Sequence, residues 1–166
     1  MTSITVLPIA EEHIDSFHQA LDIVARERKY LAYLEAPPIE QVRGFILSNI
    51  KNNLFPQVVA VDNGKVVGWC DVMMVSDRPV HAHAGFITIG IIPEYRGKGV
   101  GKQLMQSAID AAKAKGLTRL ELIVREENVN AVSLYKKMGF EIEGLKRNAN
   151  RVDGVYENAY VMGLLI

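Results

Sequence analysis

Seven consecutive residues, Arg96-Gly97-Lys98-Gly99-Val100-Gly101-Lys102, interleave three glycines with basic side chains. They follow the apolar run Phe86-Ile87-Thr88-Ile89-Gly90-Ile91-Ile92 and the break Pro93-Glu94-Tyr95, and they precede a helical pattern that reaches Lys115. A strand, a glycine turn and a helix N-terminus in that order suit an anion. The first helical turn has N–H groups without internal partners, and the macrodipole places positive potential there. Glycines let a bulky ligand approach the backbone. Phosphate or pyrophosphate is the expected guest, with Arg96, Lys98 and Lys102 adding charge around it. The same glycines also suit a tight turn that binds nothing.

Two familiar phosphate loops do not fit. A Walker loop needs four residues between its glycines and then Lys with Ser or Thr, whereas Lys102 is followed by Gln103. The dinucleotide fingerprint Gly-x-Gly-x-x-Gly opens a βαβ unit; here the spacing is Gly-x-Gly-x-Gly, past the middle of the chain. The four histidines show no ligand spacing with cysteines or carboxylates, so no metal site is expected. The lone Cys70 lies in an apolar stretch and reads as a small buried hydrophobe rather than a nucleophile.

The glycine segment resembles the Arg/Gln-x-x-Gly-x-Gly/Ala signature of the GNAT acetyltransferase superfamily. A second segment, Asn128-Val129-Asn130-Ala131-Val132-Ser133-Leu134-Tyr135 followed by Lys136-Lys137-Met138-Gly139-Phe140, is similar to that superfamily's Asn-x-x-Ala-Ile-x-Leu-Tyr pattern. Asp153 to Met162 resembles the last strands of a branch that acetylates spermidine-like and amino-acid-like amines. The resemblance runs from about Phe86 to Ile166, with the earlier helices and hairpin compatible.

The resemblance implies an α+β (mixed α/β) GNAT-like fold. Its central, mostly antiparallel mixed sheet would have about seven strands with a splayed parallel pair, flanked by about four helices. It implies direct acetyl transfer from acetyl-CoA to a primary amine. The acceptor expected is a small molecule, namely an amino acid, an amino-acid analogue or a polyamine. The alternatives are a protein N-terminus or lysine, or a non-catalytic acyl-CoA sensor. Carried over residue by residue, backbone groups of Ile89, Gly90 and Ile91 would pair with pantetheine. Arg96, Gly97, Lys98, Gly99, Val100, Gly101 and Lys102 would hold the pyrophosphate, and Asn128 and Asn130 would touch the coenzyme. Asn128 equally suits a helix cap, Asn130 a solvent-facing position, and Lys136 and Lys137 either the 3′-phosphate or solvent. Tyr135 matches the family tyrosine that protonates the leaving sulfur.

A primary amine is protonated at neutral pH, its pKa resembling the lysine value of about 10.4, so the site must remove a proton. Thr88-Ile89-Gly90 occupies the stretch where many relatives place a glutamate. His83, near the start of that strand, is the candidate base. His81, Glu121 and an ordered water chain are alternatives.

The elements that must position these groups follow from periodicity. Ile4, Val6 and Pro8 suggest a first strand. A helix is expected from about Glu12 to Lys29, its Arg26-Glu27-Arg28-Lys29 run solvated, and a second over Ile39–Asn52 with Val42, Phe45, Ile46 and Ile50 inward. Between them, Tyr30 to Pro38 makes a loop that suits either a substrate wall or interhelix packing. Asp62-Asn63-Gly64-Lys65 predicts a tight hairpin between strands Gln57–Val61 and Val66–Val75. A third strand is expected over His81–Ile92, followed by the helix to Lys115 and a strand over Leu117–Val124. That unit implies a parallel pair with a right-handed crossover. A short helix, a strand from Phe140, a turn at Val152–Val155 and a last strand over Tyr156–Leu165 complete the chain.

At 166 residues with 49% hydrophobic and 23% charged, one globular domain over 1–166 is expected. Nineteen basic residues balance nineteen acidic ones, which makes no general case for nucleic acid or membrane binding. One cysteine and no secretory pattern suit a cytoplasmic protein. Exposed sheet edges suit a homodimer.

Overall fold

The structure, a computed structural model, describes residues 3–166. Seven strands form one sheet in the order β1-β2-β3-β4-β5-β7-β6. β1 (Thr5–Pro8), β2 (Gln57–Asp62), β3 (Lys65–Met74) and β4 (Ala84–Ile91) are successive antiparallel neighbours. β4 runs parallel to β5 (Arg119–Arg125), which is antiparallel to β7 (Val155–Leu165), itself antiparallel to β6 (Glu141–Val152). α1 (Ile14–Arg26) and α2 (Ile39–Asn52) pack on one face, α3 (Val100–Ala114) and α4 (Val129–Lys137) on the other. This is the mixed, mostly antiparallel GNAT-like architecture expected, with its single parallel pair and four helices.

Each face has its own core. Under α3 and α4, Leu104, Met105, Leu120 and Met162 are fully buried; under α1 and α2, Ile14 and Ile46 are, and Phe17 meets Trp69 edge-on at 5.5 Å. Burying each such aliphatic side chain stabilises the fold by about 1.5–3 kcal/mol. The β2–β3 connection is the tight turn expected, with Asn63 and Gly64 at φ 48° and 78°.

The feature that makes a site is a mismatch in pairing. β4 bonds to β3 through Ile91, and β5 bonds to β7 through Arg125, but β4 and β5 pair only over Ala84–Phe86 and Arg119–Glu121. Beyond Phe86 and Glu121 each strand follows its outer neighbour, and the two diverge into a V.

Three local expectations are corrected. In α2 the inward positions are Val42, Ile46 and Asn49; Phe45 and Ile50 are exposed, and Phe45 packs against Phe55 at 5.5 Å. The i, i+4, i+7 stripe is completed by an asparagine because Asn49 caps the helix exit, accepting from the Leu54 and Phe55 N–H groups. The third strand begins at Ala84 rather than His81. Pro79–His81 forms a 3₁₀ turn, with His81 Nδ1 2.6 Å from Ser76 Oγ. α1 stops at Arg26, because Arg28 turns into the left-handed region at φ 60°. The charge run there is not simply solvated, since Glu27 and Arg28 both form ion pairs with distant elements.

Candidate active site

Strand alternation decides which β4 groups face the V. The Ile92 N–H bonds to the Val67 carbonyl on β3, so the Ile91 carbonyl points the other way, where the Arg96 Nε donates to it at 2.9 Å. A strand residue's N–H and C=O lie on one side, alternating along the chain. Ile89 and Ile91 therefore turn their backbone groups into the V, and Gly90 turns its own toward β3. Gly90 has a different task. A Cβ there would lie 2.2 Å from the Trp69 ring, so the missing side chain is what lets the indole cross β4.

At the mouth of the V, Gly97 and Gly99 adopt φ 72° and 82°, with open space where a Cβ would project. Gly99 caps α3 without a side chain, and the Gln103 N–H to Gly99 carbonyl bond opens the helix. The preceding N–H groups of the first turn are thus available to an anion. Gly101 serves packing: a Cβ would come within 2.9 Å of Leu134, so this glycine lets α3 and α4 close together behind buried Val100. Lys98 and Lys102 are exposed beside the loop, Lys98 Nζ sitting 5.5 Å from the Tyr95 ring centre. Arg96 is turned away, its guanidinium gripping Glu27 through two nitrogens and stacking on Tyr30 at 4.6 Å.

On α4, Asn128 Oδ1 accepts from the Ala131 N–H at 3.3 Å, a cap that leaves its amide nitrogen uncommitted. Asn130 is exposed on the first turn. Lys136 and Lys137 line an open hollow of about 580 Å³ with Ser133, Ile142 and Tyr160, formed between α4 and the β6–β7 hairpin. Tyr135 points inward and is buried. Burial pushes its phenol above the usual tyrosine range, and Cys70, the β3 residue paired with Ile89, adds to the shift. Tyr135 thus shares one core with Cys70 and with Ile89 of β4. Cys70 is itself fully buried, and burial raises its thiol well above normal, which suits packing rather than nucleophilic work. His83 is not brought to this group. It is exposed just before β4, at the closed end of the V, where its carbonyl accepts from Thr118 and Arg119. Ile89 lies six residues further along, about 20 Å at strand spacing.

The opposite face of the V is walled by side chains. Buried Arg125, at the open end of β5, donates to the Arg28 and Leu31 carbonyls at 2.8 Å each, binding the α1–α2 connection to the sheet. Its Nη1 also lies 3.1 Å from Glu157 Oε2, close enough to pair but outside hydrogen-bond geometry. Arg28 in turn grips Asp153, at the tip of the β6–β7 hairpin, at 2.7 and 3.0 Å. The connection is thereby held to the phosphate loop by Arg96, to β5 by Arg125 and to the hairpin by Arg28. At the closed end Arg119 pairs with Glu143 and Glu121. Asp71 of β3 lies on this face too, between Gln57 and Thr88 in the register. Sequence reading missed Arg125, Glu27 and Asp71. The one local sign was a charge placed inside an otherwise apolar strand pattern, as in Trp69-Cys70-Asp71-Val72.

The V fits a coenzyme carrying amides and a pyrophosphate, because the Ile89 backbone groups and the Ile91 N–H, not paired to β5, lead to a helix N-terminus with open glycines, the Ile91 carbonyl being held by Arg96. Comparison with known proteins agrees. Residues 15–140 match the model of the acetyltransferase (GNAT) family. A protein of Bacillus subtilis (strain 168), provisionally named a ribosomal protein bS18-alanine N-acetyltransferase, is 34% identical over 117 residues, covering 70% of this chain and 73% of that one. An L-amino acid N-acetyltransferase of Escherichia coli (strain K12) is 35% identical over 107 residues, covering 64% and 65%. The crystal structure of a GNAT-family acetyltransferase from Streptococcus pneumoniae superposes with a TM-score of 0.91 at 27% identity, over 99% of this chain and 100% of that one.

Proposed function

The chain belongs to the acetyltransferase (GNAT) family, which makes it an acetyl-CoA-dependent N-acetyltransferase; on that premise we propose that its acceptor is the α-amine of a protein N-terminus. This is the second acceptor class raised by the sequence, preferred here over a free amino acid or polyamine. The observation that carries it is the state of the arginines on the acceptor face. A free amino acid needs a cation for its carboxylate, and the arginines lining the opening, Arg28, Arg119 and Arg125, already face Asp153, Glu143 and Glu157. Arg147 and Arg151, the other arginines suited to a carboxylate, lie on β6, with Arg151 stacked on Tyr156. A peptide N-terminus makes no such demand. The name of the Bacillus subtilis relative points the same way.

Acetyl-CoA, when bound, supplies the thioester that the amine attacks. In this reading Ile89 and Ile91 pair with its pantetheine amides. The N–H groups that open α3, with Lys98 and Lys102, hold the pyrophosphate, and Asn128 reaches the arm with its free amide nitrogen. An unpaired β4 N–H is the donor for negative charge developing on the carbonyl oxygen. Tyr135 keeps its proton through neutral pH, because burial raises its pKa, and gives it to the leaving sulfur.

The test is thiol release from acetyl-CoA with an alanine-leading peptide, its N-blocked form, free L-amino acids and spermidine. The unblocked peptide is expected to exceed every small amine by at least about tenfold in kcat/KM, which corresponds to about 1.4 kcal/mol of differential transition-state binding. The second reading, a free L-amino acid as acceptor, rests on the Escherichia coli relative. A free amino acid turned over faster than the peptide would establish it in place of the first.

A further inference from the structure

We propose that Asp71 is the proton acceptor that converts the incoming ammonium into a nucleophile, acting through one water beside Thr88. This rests on the N-acetyltransferase reading and supplies the base that neither histidine provides. Asp71 stands directly across from Thr88 in the β3–β4 ladder, one residue before Ile89 turns into the V. Both side chains lie on the face that carries Phe86 and Glu121, the last paired residues before the strands part.

Among the strand carboxylates of this face, Glu141, opposite Gly163, is exposed to solvent, and Glu121, Glu143 and Glu157 each have a cation. Glu121 and Glu143 face Arg119, and Glu157 faces Arg125. Asp71 has none among the described residues and is only 9% exposed. Its neighbours are neutral. β2 presents Gln57, and β4 presents Thr88. α2 presents Asn49 and Ile46; α1 contributes Phe17, Leu21 and Val24 to this core. On β5 this face carries Glu121, paired opposite Phe86 and held by Arg119, and Arg125, which faces Glu157. Cys70 is adjacent but turns to the opposite core.

Asn49 Nδ2 donates to the Phe55 carbonyl at 2.9 Å and to Gln57 Oε1 at 2.8 Å, which fixes the Gln57 amide opposite Asp71 in the ladder. Burial pushes the Asp71 carboxyl up to about 7, with the neighbouring Gln57 amide opposing the rise. A group poised near the working pH is what base catalysis needs.

The protons balance as follows. The ammonium yields one proton through water to Asp71, which later releases it to solvent. The free amine forms the N–C bond, the C–S bond breaks, and Tyr135 protonates the sulfur. The second nitrogen proton leaves as the amide forms and replaces the one lost by Tyr135.

Turnover of the alanine-leading peptide and the small-amine panel is measured from about pH 5.5 to about 9.5 for the wild type and three variants. The base works ionised, so wild-type kcat should rise with pH along a limb centred near 7. Gln57→Leu removes an amide that favours the carboxylate and should move this limb to higher pH, a shift that the acceptor's own pKa cannot produce. Asp71→Asn should lower kcat at neutral pH by about 10²-fold and abolish the limb, while stabilisation by acetyl-CoA in thermal unfolding stays at the wild-type value. Asp71→Glu should restore part of the rate. The proposal is overturned if Asp71→Asn keeps the wild-type rate and limb, if its loss of rate follows a loss of acetyl-CoA binding, or if Gln57→Leu leaves the limb in place. The Gln57→Leu result decides the matter should Asp71→Asn fail to fold. A wild type active on free amino acids alone would refute the N-terminal acceptor and leave Asp71 under test by the same profiles. A wild type inactive on every amine would overturn both.

Discussion

The two sides of the β4–β5 opening are built from different materials. On the side proposed for the coenzyme the groups on offer are backbone: strand groups at Ile89 and Ile91, and the N–H groups that open α3. On the acceptor side the surface is held by long-range ion pairs, with Arg96, Arg125 and Arg28 tying one connection to the phosphate loop, β5 and the β6–β7 hairpin. Backbone geometry is nearly independent of side-chain identity, so it suits the part of the reaction that always handles the same ligand. Ion pairs are made and broken by single substitutions, so they suit the part that selects the acceptor.

The largest effect expected is at Arg125. Arg125→Met keeps the aliphatic length but leaves two carbonyls and Glu157 without their cation, a loss of about 3 kcal/mol by analogy with broken buried pairs. Chemical denaturation should register it. The acceptor KM should rise while acetyl-CoA affinity holds; equal weakening of both ligands would erase the distinction between the two sides.

Tyr135→Phe sharpens the comparison, because Tyr135 is the side chain on the coenzyme side to which chemistry is assigned. Turnover is expected to fall by about 10²-fold, close to 2.7 kcal/mol in barrier, with coenzyme affinity kept. An unchanged rate in steady-state kinetics would remove the acid role and leave the residue as core packing.

Gly99→Ala gives the smallest effect. A Cβ at φ 82° has room but is held in a left-handed conformation, costing about 1–2 kcal/mol. That cost should appear in thermal unfolding and, because the same backbone frames the anion site, in acetyl-CoA affinity measured by calorimetry. Acceptor KM at saturating acetyl-CoA should stay within about twofold, about 0.4 kcal/mol.

Much of the coenzyme side was legible in sequence. The glycine spacing, the break at Pro93 and the helical stripe after Val100 are local signals, and they occupy the elements expected. Gly97 and Gly99 do have positive φ, whereas Gly90 and Gly101 are glycines for close packing against Trp69 and Leu134, which no local pattern distinguishes. The acceptor side was far less legible. Arg96 reads as a pyrophosphate ligand in its motif, yet its side chain is spent on Glu27, 69 residues earlier. His83 has a suitable pKa class but stands at the wrong end of β4.

The sequence by itself determined the order of elements, the β2–β3 turn, the glycine loop at the start of α3 and the cap at Asn128, because each depends on residues a few positions apart. Only the tertiary structure decided where the sheet opens, which arginine meets which carboxylate, and that Asp71 has no cation among the described residues. Those outcomes depend on strand order and register, which bring Arg28 to Asp153 across 125 residues of chain and set Asp71 between two neutral neighbours. Burial then alters the chemistry of Asp71 and Tyr135, because a charge removed from water changes its pKa in a way that no neighbour in sequence can announce.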